Sequence, residues 1–234
     1  MDREQPRTLA IDVGGTGLKA SILDERGELL TAPARVDTPV GAPPQEIVAV
    51  LANLVAPLGA YDRVSVGFPG VVRKGCVVTA PNLHNAGWQH FDLAGALAGT
   101  LGKPVRVAND ADVQGLAVIA GKGVEMVITL GTGFGTGLYL DGRLGPHLEL
   151  SHHPFRHGQT YDQQLGNAAR KEIGSTRWNK RVKRAVATLR SLTNFDHLYI
   201  GGGNARRIAF ALDADITVFS NEDGLRGGVA LWRD

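Results

Sequence analysis

A short segment near the start of the chain combines residue types that bind phosphate. Asp12 ends an apolar run and is followed by Gly14, Gly15 and Thr16, with Lys19 three residues further on. Because glycine has no side chain, the backbone N–H groups of such a turn can approach an anion closely, while Thr16 offers a hydroxyl and Lys19 a positive charge. A carboxylate beside the turn is suited to hold Mg²⁺ directly or through water. The segment predicts a phosphate site with Mg²⁺ on Asp12; the alternative is a plain hairpin with a solvated Asp and Lys.

A second glycine-rich turn follows the same plan about half a chain later. It has four glycines and two threonines within the seven residues 131–137, between two apolar runs. Each glycine costs about 0.5–1 kcal/mol relative to alanine, so a structural hairpin rarely needs so many, and the excess favours a ligand. Two such turns predict two half-sites for one phosphate-bearing ligand. They differ in charge, since the positions of Asp12 and Lys19 are occupied by threonines in the second turn.

A polar cluster lies where a strand is expected to meet a helix. Asn109 and Asp110 directly follow residues 105–108, at the carboxyl end of a predicted short strand, where ligands of open α/β sheets gather. A carboxylate at this place can accept a proton from a hydroxyl that attacks a γ-phosphoryl group. The alternative is helix capping, because Asn is a preferred N-cap and the acids Asp110 and Asp112 suit a first helical turn.

Downstream of the second turn, Glu149, His152 and His153 place an acid and two imidazoles within five residues. These groups are suited to ligate a metal or to hydrogen-bond a polyol, and isolated surface histidines are the alternative. A metal would need further ligands, and the chain has no cysteine pair to supply them.

Residues 170–184 form a strongly basic segment, with seven basic residues and the single acid Glu172. On a helix, four of the cations lie together on the side opposite Trp178 and the other apolar residues. Such a stripe is either a solvated helix face or a track for a polyanion, which could be nucleic acid or an inorganic phosphate chain. The four cations are Arg177, Lys180, Arg181 and Arg184.

The composition predicts a soluble globular protein. Hydrophobic residues make up 43% of the 234 residues and charged residues 21%, and the net charge of +2 does not imply nucleic-acid binding. The lone Cys76 excludes an internal disulfide framework and a thiolate zinc site, and it fits a reducing cytosol. No apolar run approaches the ~20 residues that span a bilayer, and the first residues lack a signal-peptide core. A cytoplasmic location without membrane partners is therefore expected.

Strands and helices alternate in both halves of the chain, which predicts an α/β architecture. We expect two domains, residues 1–111 plus 220–234 and residues 112–219. The elements that bear on the later comparison are strands at 8–13, 18–23 and 28–35, the hairpin 125–140, and helices at 161–173, 176–192 and 223–232.

These motifs, in this order, resemble the ROK group of sugar kinases in the actin-like ATPase superfamily. The likeness covers nearly the whole chain and rests on I-D-V-G-G-T-G-L-K, F-P-G-V-V, A-P-N-L followed by a Trp, A-N-D-A-D, L-G-T-G-F-G-T-G and E-L-S-H-H-P. The tract H-H-P-F-R-H-G-Q-T-Y, the basic helix with its Trp and the lack of a cysteine-rich zinc motif are most similar to the polyphosphate glucokinases of that group.

The resemblance implies an actin-like ATPase (ribonuclease H-like) fold, with two domains flanking a cleft, and a homodimer. It implies phosphoryl transfer to a hexose from polyphosphate, ATP or both, with Mg²⁺. Asp110 would be the general base for the sugar 6-hydroxyl, and Asn82, Asn109, Glu149 and His152 would bind the sugar hydroxyls. The donor would be bound by residues of both turns and by a later glycine pair: Asp12, Gly14, Gly15, Thr16, Lys19, Gly131, Thr132, Gly133, Gly202 and Gly203.

Two departures from the family pattern keep other functions open. Ser151 replaces the usual Gly before the sugar-binding His, and either Asp162 or Gln163 could be the further acid or polar group that contacts the sugar. The alternatives are a kinase for another hexose such as mannose, or a sugar-binding protein with weak or no kinase activity. A sugar-responsive repressor is not expected, because the first strand begins too early to leave room for a DNA-binding segment.

Overall fold

The computed structural model describes residues 5–220 and 225–233, which divide into two compact units. Among these residues, the first unit comprises 5–117 and 225–233, and the second comprises 118–220. The predicted boundary between residues 111 and 112 falls inside the helix Asp110–Leu116, which belongs wholly to the first unit. Each unit has a mixed sheet with helices, so the predicted α/β class is confirmed.

The first unit is built on a five-stranded sheet. Its strands are β1 (Thr8–Val13), β2 (Gly17–Leu23), β3 (Ala34–Asp37), β4 (Arg63–Phe68) and β7 (Val105–Asn109). They lie in the order β3-β2-β1-β4-β7, antiparallel on the β1–β2–β3 side and parallel on the β1–β4–β7 side. The remaining elements are the hairpin β5 (Val72–Arg73) and β6 (Cys76–Val77), the helices α1 (Pro44–Val55), α2 (Leu93–Leu101) and α3 (Asp110–Leu116), and 3-10 helices at Ala56–Leu58, Ala86–Trp88 and Arg226–Trp232.

The two faces of this sheet are packed differently. One face buries large residues such as Leu9 and Ile11 in a core shared with α1 and α2. The other face has small residues at Ala10 and Ser65, and a methyl group at Gly228 of the C-terminal 3-10 helix would lie 3.3 Å from the β-carbon of Ala10 and 3.1 Å from that of Ser65. The C-terminal residues therefore cover the amino-terminal half of this face closely.

The second unit repeats the same sheet plan. Its strands are β8 (Val124–Leu130), β9 (Phe134–Leu140), β10 (Arg143–Leu144), β13 (His197–Gly201) and β14 (Ile216–Val218). Their order is β10-β9-β8-β13-β14, again antiparallel on one side of the first strand and parallel on the other. The hairpins β1–β2 and β8–β9, which contain the two glycine-rich turns, therefore hold equivalent places in the two sheets. The other elements are β11 (Pro154–Arg156), β12 (Gln159–Thr160), α4 (Tyr161–Leu165), α5 (Asn167–Ile173), α6 (Ser175–Thr193) and 3-10 helices at Leu150–His152 and Ala205–Arg207.

The basic segment forms most of α6, which is amphipathic as predicted. Trp178, Val182 and Leu189 are fully buried against the second sheet, and the Trp178 indole N–H donates a 2.8 Å hydrogen bond to the carbonyl of Leu165. This anchoring leaves the basic side of the helix turned away from the core.

Three predicted elements differ in the structure, and two of them lie in the first unit. The strand predicted at 28–35 is wrong for most of its length: only an isolated bridge joins Leu29 to Leu23, and the strand proper begins at Ala34. The helix predicted at 223–232 is a 3-10 helix at Arg226–Trp232, and the first two residues of that prediction lie outside the described residues.

The helix predicted at 161–173 is broken at Gly166 into α4 and α5. Gly166 is extended, and a methyl group there would lie only 2.6 Å from the carbonyl oxygen of Thr132 in the second glycine-rich turn. The break brings the helix pair against that turn, so packing overrides the helical periodicity.

No helix in the described part of the chain is long and apolar enough to cross a membrane.

Candidate functional site

The first glycine-rich turn is tight and is stabilised by a hydrogen bond from Thr38. The N–H of Gly14 donates to the carbonyl of Gly17 at 3.0 Å, and a methyl group at Gly14 would lie 2.8 Å from that oxygen. The Thr38 hydroxyl donates to the carbonyl of Gly14 at 2.6 Å. Gly15 and Thr16 are left exposed at the tip. Thr38 is buried and far along the sequence, which is why motif spacing did not reveal it.

The two charged residues predicted for this turn come together as a cross-strand pair. Asp12 on β1 lies opposite Lys19 on β2, with 3.8 Å between Asp12 Oδ2 and Lys19 Nζ. Burial raises the pKa of the Asp12 carboxyl, and the nearby Lys19 ammonium lowers it in part. With both side chains partly exposed, such a pair contributes at most about 1 kcal/mol to stability. Its more important effect is to place an anion and a cation beside the turn.

Gly67 of β4 separates Asp12 from Asp110. Gly67 is the register partner of Asp12 on one side and of Ala108 in β7 on the other. A methyl group at Gly67 would lie 3.4 Å from the α-carbon of Asp110. The carboxyl ends of three neighbouring strands therefore bring the two predicted acids to one place, with no side chain between them. Spacing along the sequence did not identify Gly67; its role depends on the parallel pairing of β1, β4 and β7.

This arrangement fits Mg²⁺. The ion commonly takes one or two carboxylates and completes its octahedron with waters and substrate phosphate oxygens. Asp12 is such a carboxylate, beside a turn suited to phosphate, and Asp110 lies at the same end of the sheet. Within the described residues, no group of three or more His, Cys, Asp or Glu side chains could hold a metal ion. The ion would therefore depend on waters and donor phosphate oxygens for its other ligands.

Asn109 caps α3, as the capping alternative predicted. Its Oδ1 accepts from the N–H of Ala111 at 2.9 Å and of Asp112 at 3.4 Å, and its Nδ2 donates to the carbonyl of Gly70 at 3.1 Å. The amide also lies 3.4 Å from the carbonyl of Phe68, so both ends of this buried side chain are engaged by the backbone. The cap fixes the start of α3, where the N–H of Ala111 also donates to Asp110 Oδ1 at 2.8 Å.

Asn82, predicted to bind sugar, lies against the first turn. A methyl group at Gly15 would be 3.2 Å from the carbonyl oxygen of Asn82 and 3.3 Å from its β-carbon. Asn82 lies in a turn and is exposed. The first unit thus gathers Asn82, Gly15, Asp12 and Asp110 around one end of its sheet.

The second turn also has a carboxylate beside it, and this carboxylate binds a backbone N–H group. Asp162 Oδ1 accepts a 2.5 Å hydrogen bond from the N–H of Phe134, and a methyl group at Gly133 would lie 2.7 Å from the same oxygen. The N–H of Gly131 is also used, by the carbonyl of Gly133 at 3.1 Å. The exposed Thr132 is left as the group at the tip, so this turn offers an anion fewer free amides than its sequence predicts.

Asp162 joins the acid and histidine predicted for sugar binding. Burial raises the pKa of Asp162, while the Phe134 N–H and His152 lower it and Glu149 raises it further. The neighbouring Gln163 is used otherwise, since it forms a capping box with Thr160 at the start of α4. Of the two candidates for the further polar group, the structure therefore places Asp162 near Glu149 and His152.

Glu149 is held by two neighbours. Its Oε2 lies 3.4 Å from His147 Nε2, and its Oε1 accepts a hydrogen bond from the Ser151 hydroxyl. A glycine at position 151 could not make the second contact, so the departure noted in the sequence has a direct consequence for this carboxylate.

The glycine pair after β13 has two different environments. Gly202 has φ +90°, and a methyl group there would lie 2.3 Å from the carbonyl oxygen of Leu130. Gly203 is exposed and has open space where a side chain would be. The Nδ2 of Asn204 donates to the carbonyl of Gly131 at 3.2 Å, which ties this loop to the second turn. Gly202 thus serves packing, and Gly203 is accessible to a ligand.

The predicted basic stripe lines a cavity of about 370 Å³. All five lining residues are cations: Arg156, Arg177, Lys180, Arg181 and Arg184. Burial lowers the pKa of Arg181 and the nearby Arg156 lowers it further, so the like charges repel one another in the absence of an anion. Arg156 comes from β11 and not from the helix, which is why the helical pattern missed it. The stripe is a concave, wholly cationic site rather than a flat solvated face.

Comparison with known proteins agrees with this geometry. The model of the ROK family matches residues 8–156. The polyphosphate glucokinase of Mycobacterium tuberculosis is 32% identical over 214 residues, covering 87% of this chain and 80% of that protein.

Solved structures give the same result. The inorganic polyphosphate/ATP-glucomannokinase of Arthrobacter sp. strain KM has a TM-score of 0.85 at 31% identity, covering 97% of this chain and 100% of that one. A ROK family glucokinase from Streptomyces griseus, at 20% identity, shares the fold with a TM-score of 0.77 and covers 96% of this chain and 98% of that one. The predicted two-domain, actin-like ATPase fold is confirmed by these neighbours. With its repeated sheets, its paired turns and a family match over more than half of its length, this chain belongs to the ROK family.

Proposed function

We propose that the protein is a hexokinase-type phosphotransferase that makes glucose 6-phosphate from glucose, with polyphosphate, ATP or both as donor and with Mg²⁺. The observation that carries this proposal is the meeting of Asp12, Lys19 and Asp110 at one end of the first sheet, beside the Gly14–Thr16 turn. A base, a cation and a phosphate turn are the parts that phosphoryl transfer to a hydroxyl requires.

Asp110 would accept the proton of the sugar 6-hydroxyl as that oxygen attacks the terminal phosphoryl group. Asn109 would act on Asp110 indirectly, because its amide caps α3 and fixes the helix start that carries Asp110. Lys19 and the free N–H groups of the first turn would stabilise the charge that builds up on the transferring group. When bound by Asp12 and the donor phosphates, Mg²⁺ would neutralise part of the same charge.

Sugar recognition would involve the exposed Asn82 of the first unit and three residues of the second, Glu149, His152 and Asp162. Carboxylates and an imidazole provide the acceptors and the donor that a polyol needs. We propose Asp162 for this set because it is electrostatically coupled to the other two residues, whereas Gln163 is used in a cap.

The cationic cavity supports inorganic polyphosphate as a donor. Its lining has five cations and no aromatic side chain that could stack on a nucleotide base, and a polyphosphate chain needs only charge and hydrogen-bond donors. The Mycobacterium and Arthrobacter relatives, whose names include polyphosphate, are consistent with this choice. The accessible Gly203 and the second turn, with Thr132 at its tip, would serve the rest of the donor.

The test of the reaction is a coupled assay for hexose 6-phosphate, with ATP and with long-chain polyphosphate, over glucose and mannose. We expect product from glucose, and Asp110→Asn should lower kcat about 10²–10⁴-fold without a change in melting temperature. Asp213→Asn, at an acid whose side chain is 74% exposed, is the matched control. Full activity of Asp110→Asn would refute the assigned base.

The test of the donor site is the double variant Arg177→Gln/Lys180→Gln. It should raise KM for polyphosphate, more at low salt than at high salt, and leave KM for ATP unchanged. Lys183→Gln removes a charge from the same helix outside the cavity and should change neither constant. An equal effect on both donors would contradict a polyphosphate site.

A second candidate is a sugar-binding protein with weak or no kinase activity. It is favoured by the Ser151 hydroxyl on the Glu149 carboxylate, which competes with a sugar hydroxyl for the same oxygen. Calorimetric glucose binding without product from either donor would select this candidate over the kinase.

A further inference from the structure

Three charged residues form a row across the antiparallel side of the first sheet. Asp12 on β1 pairs with Lys19 on β2, and Lys19 in turn pairs with Arg35 on β3. Directly opposed residues of antiparallel strands point to the same face, so the three side chains project from one side of the sheet. The first two belong to the proposed phosphate site, and the third lies next to them.

The Arg35 guanidinium group reaches along the strand toward the turn. A methyl group at Gly17 would lie 3.2 Å from both Nε and Nη2 of Arg35. Gly17 is the first residue of β2, directly after the exposed tip formed by Gly15 and Thr16. The missing side chain at Gly17 is therefore what lets the guanidinium group lie beside the turn.

Arg35 forms no ion pair within the described residues, although it is exposed and Asp37 lies two positions along the same strand. Other arginines of the molecule do pair, as Arg190 does with Asp215 and Arg226 with Glu28. A planar guanidinium group binds phosphate oxygens through two parallel N–H bonds, which an ammonium group cannot do.

We propose that Arg35 is a phosphate-binding residue of the first turn, contacting the donor phosphate together with Lys19 and the turn amides. Its part in the reaction rests on the function proposed above, but phosphate binding itself does not. The first turn then has two cations, whereas the second faces the Asp162 carboxylate. Because of this difference, we assign to the first turn the donor phosphate on which most negative charge develops during transfer.

The experiment compares Arg35→Gln and Arg35→Lys with the wild type, with Arg26→Gln as control. Arg26 is also on the first unit, but its side chain is 81% exposed at the far end of β2. Binding of inorganic tripolyphosphate is measured by calorimetry in the Arg177→Gln/Lys180→Gln background, so that the cationic cavity does not hide the signal. KM for ATP and KM for glucose are measured without that background.

We expect Arg35→Gln to weaken tripolyphosphate binding about tenfold or more and to raise KM for ATP, with KM for glucose and the melting temperature unchanged. Arg35→Lys should fall between this variant and the wild type, and Arg26→Gln should match the wild type. Unchanged tripolyphosphate affinity in Arg35→Gln would overturn the proposal, and so would an effect confined to KM for glucose. If the wild type makes no hexose phosphate, the kinase proposal fails, while the calorimetric comparison still decides the role of Arg35.

Discussion

Replacement of Gly202 by alanine should destabilise the second unit, although the same change at Gly203 should not. The new methyl group at Gly202 would lie 2.3 Å from the carbonyl oxygen of Leu130 and 2.5 Å from its carbonyl carbon, and the backbone has φ +90°. Forcing an extra methyl group into packed surroundings costs about 1–3 kcal/mol, and a left-handed backbone costs a non-glycine residue about 1–2 kcal/mol. The free energy of unfolding should fall by roughly 2–5 kcal/mol.

The matched variant Gly203→Ala meets open space, and its φ lies outside the left-handed range. Alanine at a compatible site stabilises a protein by about 0.4–1 kcal/mol, because it restricts the unfolded chain. Since Gly203 is exposed and proposed to face the donor, this variant should keep its stability and raise KM for the donor.

Urea unfolding followed by circular dichroism and tryptophan fluorescence measures the difference between the two variants. With a slope of about 2 kcal/mol per molar urea, the midpoint of Gly202→Ala should fall by about 1 M or more relative to Gly203→Ala. Equal midpoints would show that the loop after β13 moves freely from β8, and would refute the close packing of Gly202 against Leu130.

Three further predictions test other parts of the structure. Asp12→Asn should raise the melting temperature at neutral pH and abolish phosphoryl transfer. Burial raises the pKa of Asp12, so the wild type loses stability as the pH rises from about 4 through that raised pKa, whereas the Asn variant does not. A thermal-shift series over pH in which the difference between the two proteins does not widen across this window would contradict the prediction. Glu125→Gln should lower the free energy of unfolding by about 3 kcal/mol or more, because this buried carboxylate accepts hydrogen bonds from three backbone N–H groups and from the hydroxyl of Tyr199. Tyr199→Phe removes only the hydroxyl and should cost about 1 kcal/mol, and chemical denaturation measures both variants. Gly227→Ala should impair folding, because its methyl group would lie 1.8 Å from a carbonyl oxygen of α3; expression with a wild-type melting temperature would contradict this packing.

Local pattern was sufficient where a residue's role depends on its near neighbours in the chain. The strand–turn–strand order at Asp12–Lys19 predicts a hairpin, and the hairpin pairs these two residues without help from the rest of the fold. The capping propensity of Asn109 likewise predicts the bonds found at the start of α3. Periodicity failed at Gly166, where contact with Thr132 in the second turn breaks a pattern that reads as one helix.

The amino-acid sequence by itself determined the two glycine-rich turns, the amphipathic basic helix and the family, because each depends on residue types at short spacing. Only the tertiary structure decided which charges act together. Parallel pairing of β1, β4 and β7 brings Asp110 beside Asp12 across Gly67, and antiparallel pairing adds Arg35 to Lys19. Such neighbours are distant in the chain, and strand register, which arises from packing of the whole sheet, is what places them together.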